Sequence, residues 1–223
     1  MLGANTNGQL GNGTTVASTT AVSVILGGTA VSFMSQNNDS CAIISSGVLK
    51  CWGQDFATTP TAVSLSSTPN VLGGGTSNSP FLGCINLSSG TAQCFGSTTN
   101  TYGELGNGTN SAPANAVTGY TVINASSNQP LSGISMIGSG GARVSGTVEN
   151  FACAVADDFA NVYCWGRNAH GNLGNGTTTD TNKATKVTKT WPNSNIIDIA
   201  VSDGRACILL KNSDVWCWGR VLQ

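Results

Sequence analysis

Apolar residues in this chain come in short runs of strand length, and no stretch repeats them at the 3.6-residue spacing of a helix. The clearest run, Asp203 to Gly219, reads DGRACILLKNSDVWCWG. If Cys207 and Cys217 face each other, so do Ile208 and Trp216, Leu209 and Val215, and Leu210 and Asp214. Lys211, Asn212 and Ser213 are then left as a three-residue hairpin loop. The phrase recurs three times. Cys41 to Gly53 (CAIISSGVLKCWG) turns at Ser45, Ser46 and Gly47, and Cys84 to Gly96 (CINLSSGTAQCFG) turns at Ser88, Ser89 and Gly90. In both, glycine stands where such a loop wants a left-handed residue. Cys153 to Gly166 (CAVADDFANVYCWG) is one residue longer and turns over Asp157 to Ala160.

The four hairpins use all eight cysteines, which predicts the disulfides Cys41–Cys51, Cys84–Cys94, Cys153–Cys164 and Cys207–Cys217. Such pairing belongs to an oxidising compartment, so the chain is expected to be extracellular or displayed on a surface. Buried reduced thiols are the competing reading. Zinc fits worse, because the pair spacing is too long and there is one histidine. Each bridge closes a short loop and stabilises by roughly 2.5–3 kcal/mol on chain-entropy grounds.

A second phrase follows the hairpins. Gly3 to Thr14 (GANTNGQLGNGT), Gly96 to Thr109 (GSTTNTYGELGNGT) and Gly166 to Thr177 (GRNAHGNLGNGT) all end in LGNGT, whose Asn-Gly step calls for tight turns. After it come a Thr/Ser/Asn-rich loop and a strand, expected at Ala21 to Ile25, Ala116 to Ile123 and Ala184 to Val187. Another strand, as at Ile196 to Val201, leads into the next hairpin. The second cysteines, Cys51, Cys94, Cys164 and Cys217, fall 43, 70 and 53 residues apart. Repeats of this size mean propeller blades or a solenoid, and four short strands per unit favour blades. The short interval lacks LGNGT, with Gln54 to Pro60 in its place. The long one carries extra polar residues at Asn124 to Gly133 and Ser139 to Glu149, expected to be loops on a face where binding could occur.

The phrase WG-x-N-x-x-G-x-LG-x-G, with the strands and hairpin around it, resembles the regulator-of-chromosome-condensation repeat. Trp165, Gly166, Asn168, Gly171, Leu173, Gly174 and Gly176 match it position for position. Gly3, Asn5, Gly8, Leu10, Gly11 and Gly13 match it too, with Leu2 where Trp is usual. The resemblance covers nearly the whole chain and implies an all-β propeller of four-stranded blades, of which four units are about half a ring. One domain over residues 1–223 is expected, with units ending near residues 53, 96, 166 and 219. Where family blades often carry a His, Asp39-Ser40 and Gly204-Arg205 stand here. The cysteine pairs are similar to those of exported variants of the repeat. Both ends cut a unit open, Met1 entering where CWG would end and Val221 to Gln223 stopping just after it.

Composition narrows the chemistry. Only 9% of the 223 residues are charged, the net charge is −1, and no basic stripe is present, which argues against nucleic acid as a partner. The residues after Met1 do not form a signal peptide, and no apolar run is long enough to span a bilayer. No cofactor or metal motif is present, and the chain is not expected to be an enzyme. His170, the single histidine, aligns with Asn7 and Tyr102 in a variable turn. Asp157-Asp158 read as a solvated hairpin tip, and Gly73-Gly74-Gly75-Thr76 lacks the lysine and helix of a phosphate loop. Trp52, Phe95, Trp165 and Trp218 repeat after the second cysteines and read as packing residues. Trp191, beside Pro192, is the aromatic candidate for binding. Asn12, Asn38, Asn86, Asn107, Asn124 and Asn175 lie in sequons and are candidate N-glycosylation sites.

The expected function is a non-enzymatic extracellular scaffold for protein interaction, adhesion or self-assembly into a fibre. A soluble binding protein or inhibitor working across one propeller face is the alternative, and an exchange factor for a small GTPase is the third reading. Expected partners are proteins, copies of the chain among them, with glycans next.

Overall fold

The computed structural model describes residues 3–73, 75–76, 80–113, 115–144, 146–191 and 195–220. Leu2, Gly74, Pro192, Met1 and Val221 to Gln223, on which expectations above touch, lie outside these residues. The described residues form sixteen strands in four sheets of four.

The first sheet is β1 (Ala30–Gln36), β2 (Asp39–Ile44), β3 (Leu49–Gly53) and β4 (Thr61–Ala62), in that order. The chain continues through β5 (Pro69–Gly73), β6 (Gly75–Thr76), β7 (Gly83–Leu87), β8 (Ala92–Phe95) and β9 (Tyr120–Thr121). Of these, β5-β7-β8-β9 make the second sheet. The third is β10 (Met136–Val144), β11 (Thr147–Ala156), β12 (Asn161–Gly166) and β13 (Thr181–Lys186). The fourth runs β6, β14 (Ile196–Ser202), β15 (Arg205–Leu210) and β16 (Val215–Gly219), with β6 parallel to β14. The first-built strands β1, β5, β10 and β14 are neighbours, so the sheets stand side by side around that line.

All four hairpins have the expected register. Cys41, Cys84, Cys153 and Cys207 stand opposite Cys51, Cys94, Cys164 and Cys217, and each pair is a disulfide. Gly47 and Gly90 hold the left-handed loop position, and Ser213 takes it in the fourth hairpin. Apolar residues fill three cores between consecutive sheets. The first holds Cys41–Cys51 with Ile85 and Phe95, the second Cys84–Cys94 with Leu105, Val122 and Trp165, the third Cys153–Cys164 with Leu173, Val187 and Ile208. Each of these disulfides therefore faces the following sheet. The fourth, Cys207–Cys217, faces outward, and Cys217 is exposed.

Three expectations change. Residues Ala21 to Ile25 are not a strand, because no third strand of their own unit stands beside them among the described residues. Only Tyr120–Thr121 of Ala116 to Ile123 pairs as a strand. Ser139 to Glu149 is not a loop; apart from residue 145, outside the description, it extends the β10–β11 hairpin, with Arg143 opposite Val148 and Val144 opposite Thr147.

Candidate interaction surfaces

The LGNGT segments are elbows between sheets, and a buried asparagine holds each one. Asn168 Nδ2 donates to the carbonyls of Thr177 (3.0 Å) and Thr179 (2.9 Å), while its Oδ1 accepts from Leu173 N–H at 2.9 Å. Asn100 makes the same three bonds to Thr109, Ser111 and Leu105. Asn5 makes them to Thr14, Val16 and Leu10. The glycine after each leucine lies on a tryptophan of the following sheet. A methyl group on Gly11, Gly106 or Gly174 would stand 2.7, 2.7 and 2.9 Å from Trp52, Trp165 and Trp218. Trp52 Nε1 donates to Gln9 O at 3.1 Å and Trp218 Nε1 to Asn172 O at 2.9 Å. The interval without LGNGT is followed by Phe95 in the tryptophan's place, packed on Phe81.

Polar chemistry gathers where these elbows meet the extended β10–β11 hairpin. Glu149, buried on β11, has Oε2 3.4 Å from His170 Nε2 and Oε1 3.9 Å from Arg167 Nε. Arg167 bonds Asp180 at 3.0 Å and its guanidinium lies 4.1 Å over the Tyr102 ring. Tyr102 and His170 occupy the same turn position of successive elbows, so this cluster latches one elbow to the next. Glu104, in the same elbow as Tyr102, has its carboxyl pushed up, chiefly by burial. Glu149 Oε2 and Arg167 Nε are buried here without a hydrogen bond, so the contacts of Glu149 with Arg167 and His170 are ones of proximity. Sequence reading missed the latch; its only signal is that Tyr102 and His170 align and that Arg167 follows the WG pair.

The sequence-derived candidates are scattered. Asn12, Asn107 and Asn175 bend their Oδ1 back onto the hydroxyls of Thr14, Thr109 and Thr177, and Asn124 does so with Ser126. Asn38 bonds Gln54 at 2.8 Å. Asn86 is 5% exposed within β7, and this burial removes it as a glycan site on the folded chain. Trp191 is likewise corrected as a binding aromatic. It is buried, stacked on Trp218 at 6.0 Å and tilted against Trp216 at 5.8 Å. Trp216 is the exposed member of that trio, with Lys189 Nζ 4.8 Å over its ring. Asp157 accepts from Tyr163 (2.8 Å) and Asn161 (3.0 Å) at the hairpin tip. Desolvation first, then that bond and charge, push the Tyr163 hydroxyl up to about 12. Gly73 ends β5 and Gly75–Thr76 form β6, a strand setting and not that of a phosphate loop. No group of three metal-ligating side chains occurs among the described residues.

The large exposed apolar residues concentrate at the two ends of the row of sheets. On the first sheet, Phe33 is 79% exposed and Val31 lies beside it. The N-terminal segment covers only part of that sheet and leaves a groove of about 470 Å³ lined by Leu10, Val22, Val24, Ser40 and Trp52. On the fourth sheet, Ile197, Val215 and Trp216 are exposed, and no described strand pairs with the free side of β16.

Residues 160–209 match the Regulator of chromosome condensation (RCC1) repeat model. No curated protein sequence matches the chain. Among solved structures, human WBSCR16 aligns with a TM-score of 0.70 at 15% identity, covering 98% of this chain and 56% of its own. Yeast RCC1 (Prp20), in its complex with Kap60, aligns at 0.61 and 22% identity over 86% of this chain and 42% of its own. Prp20p from Saccharomyces cerevisiae, whose binding properties to Gsp1p and histones are described with its structure, gives 0.60 at 21% identity over 86% and 44%. The chain thus spans about half the length of these three structures. At these identities the likeness is one of fold. With four four-stranded sheets in the same arrangement, the chain has the β-propeller fold of these structures, and its residues 160–209 match one regulator-of-chromosome-condensation repeat.

Proposed function

We propose that the chain is a non-enzymatic protein-interaction scaffold of an oxidising, extracellular setting, presented on a surface or in a fibre. The observation that carries this reading is the apolar surface left open on the two terminal sheets, Phe33 and Val31 on one and Val215, Trp216 and Ile197 on the other. Exposed apolar patches of this kind mark protein contacts, and an uncovered strand edge is a template for another chain. Four disulfides staple the blades that present these surfaces, which suits a compartment where thiols oxidise. Adhesion and fibre formation extend the same reading.

A soluble binder working across one face is favoured by a different feature, the extended β10–β11 hairpin standing over the Glu149–Arg167–His170 latch. The exchange-factor reading rests on repeat resemblance alone.

A photo-crosslinking residue placed in turn at position 33, at position 215 and in the β10–β11 hairpin, in the protein made by its own cells, tests the scaffold. Covalent protein adducts are expected from both ends. Adducts only from the β10–β11 hairpin would transfer the function to the soluble-binder reading, and none from any position would end the scaffold reading. Alkylation of the protein unfolded in denaturant without reductant should modify no cysteine; eight modified thiols would place it in a reducing compartment and restore the exchange factor.

A further inference from the structure

Six asparagines stand in sequons, and the fold sorts them by the state of their amide atoms. Nδ2 is the atom that takes a sugar, so a glycan fits the folded chain only where that nitrogen is unbonded and reaches solvent. Oδ1 keeps its role as acceptor, because N-glycosylation replaces only a hydrogen on nitrogen.

In the elbow between the second and third sheets, Asn107 Oδ1 accepts from the Thr109 N–H at 3.2 Å and from the Thr109 hydroxyl at 3.0 Å. Asn124 Oδ1 accepts from the Ser126 N–H at 2.9 Å and from the Ser126 hydroxyl at 2.7 Å. Both asparagines are partly exposed, and Nδ2 of each makes no hydrogen bond among the described residues. Asn12 and Asn175 repeat the Asn107 turn, with hydroxyl bonds of 2.9 and 2.8 Å. The remaining two differ. Asn38 Nδ2 donates to Gln54 Oε1 at 2.8 Å, and the Ser40 hydroxyl of its sequon donates to Ser35 at 3.1 Å instead. Asn86 is buried in β7, and the Ser88 hydroxyl of its sequon bonds Ser67 at 2.7 Å. A sugar at either place would displace contacts that the fold uses.

Asn107 and Asn124 also meet at one strand. Asn107 bridges Lys183 and Asn124 bridges Ala184, both on the outer side of β13. Their successors hold the same edge, Gly108 N–H donating to the Asn182 carbonyl at 2.7 Å and Ala125 N–H to the Ala184 carbonyl at 2.9 Å.

We infer that Asn107 and Asn124 carry N-linked glycans, set side by side along the outer edge of the third sheet. In the transfer, Nδ2 bonds to the anomeric carbon of an oligosaccharide carried on a lipid pyrophosphate. The bond from that carbon to the phosphate oxygen breaks, its electron pair leaves with the pyrophosphate, and the proton lost by Nδ2 balances the charge there. Sugar in this place hinders another chain from pairing along β13 and leaves the exposed apolar residues of the first and fourth sheets free. The inference rests on the extracellular part of the proposed function, because such donors are met on the export route.

Site mapping of the protein made by its own cells, treated with peptide-N-glycosidase in heavy-oxygen water, tests this. The enzyme turns each asparagine that bore a glycan into labelled aspartate, and the label excludes earlier deamidation at the Asn107-Gly108 step. Label is expected at Asn107 and Asn124 and absent from Asn38 and Asn86, with an untreated mass above 22.6 kDa. Thr109→Ala and Ser126→Ala should each abolish label at their own site alone, and Thr109→Ser, which keeps hydroxyl and sequon, should retain it. Four intact disulfides in each variant separate loss of the sequon from misfolding. A disulfide-bonded chain with no label overturns the inference and leaves the extracellular reading standing, and label at Asn38 or Asn86 with Asn107 and Asn124 bare overturns it too. Free thiols together with no label would end both.

Discussion

At the scale of single residues, buried polar groups decide the elbows. Asn168 has no exposed surface and directs its amide at three backbone groups of its elbow. Asn168→Ala leaves two carbonyls and the Leu173 N–H unpaired and should destabilise the chain by about 3 kcal/mol in urea unfolding. Asn175→Ala, which breaks only a solvent-side turn, should cost less than about 1 kcal/mol. Asp39 gives a pH dependence. Burial pushes its carboxyl from 3.8 to about 6, partly opposed by the Asp55 N–H it accepts at 2.8 Å, while the Asp55 carboxylate adds to the rise. Between these two values the folded chain holds more protons than the unfolded one, so stability conferred by protonated Asp39 is present at low pH and lost as pH rises through about 6. Asp39→Asn keeps the acceptor and carries no charge. Relative to wild type, its urea midpoint should gain as pH rises from 4 to 7 and stay level above that; an unchanged difference would place the titration elsewhere.

At the scale of elements, the hairpins were legible because cross-strand cysteines, loop glycines and strand alternation all specify one register. The same redundancy makes the disulfides separable. Cys84–Cys94 is sealed between two sheets, whereas Cys217 is exposed, so graded reduction with differential alkylation should open Cys207–Cys217 first. Replacing Cys84 and Cys94 by serine should cost roughly 3 kcal/mol or more, since the entropy term adds to the burial of two hydroxyls. Elbow and tryptophan form a second coupled unit. Gly174 has φ of +60° and lies against Trp218, so Gly174→Ala combines a strained backbone with a clash and should cost about 1–3 kcal/mol. What sequence reading could not reach was pairing that depends on neighbours. Ala21 to Ile25 has strand composition, yet a strand exists only where another lies beside it. Trp191 read as a loop aromatic because the stack that buries it is built from Trp216 and Trp218, distant along the chain.

At the scale of the molecule, each sheet packs only on its neighbours, so stability is a sum of sheet and junction terms and is lowest where a junction is missing. The second and third sheets are covered on both faces; the first and fourth each have one face only partly covered or open. Amide hydrogen exchange on dilute protein should therefore show the strongest protection in β7, β8, β11 and β12 and the weakest in β1 and β16. Equal protection in all four sheets would mean that the row already closes within one chain, since only a shared junction between first and fourth sheets could level the terms. A protein partner bound at the open sheets would slow exchange at the free side of β16 and along β1, as the scaffold reading expects, whereas slowing confined to the β10–β11 hairpin would assign binding to the polar face instead.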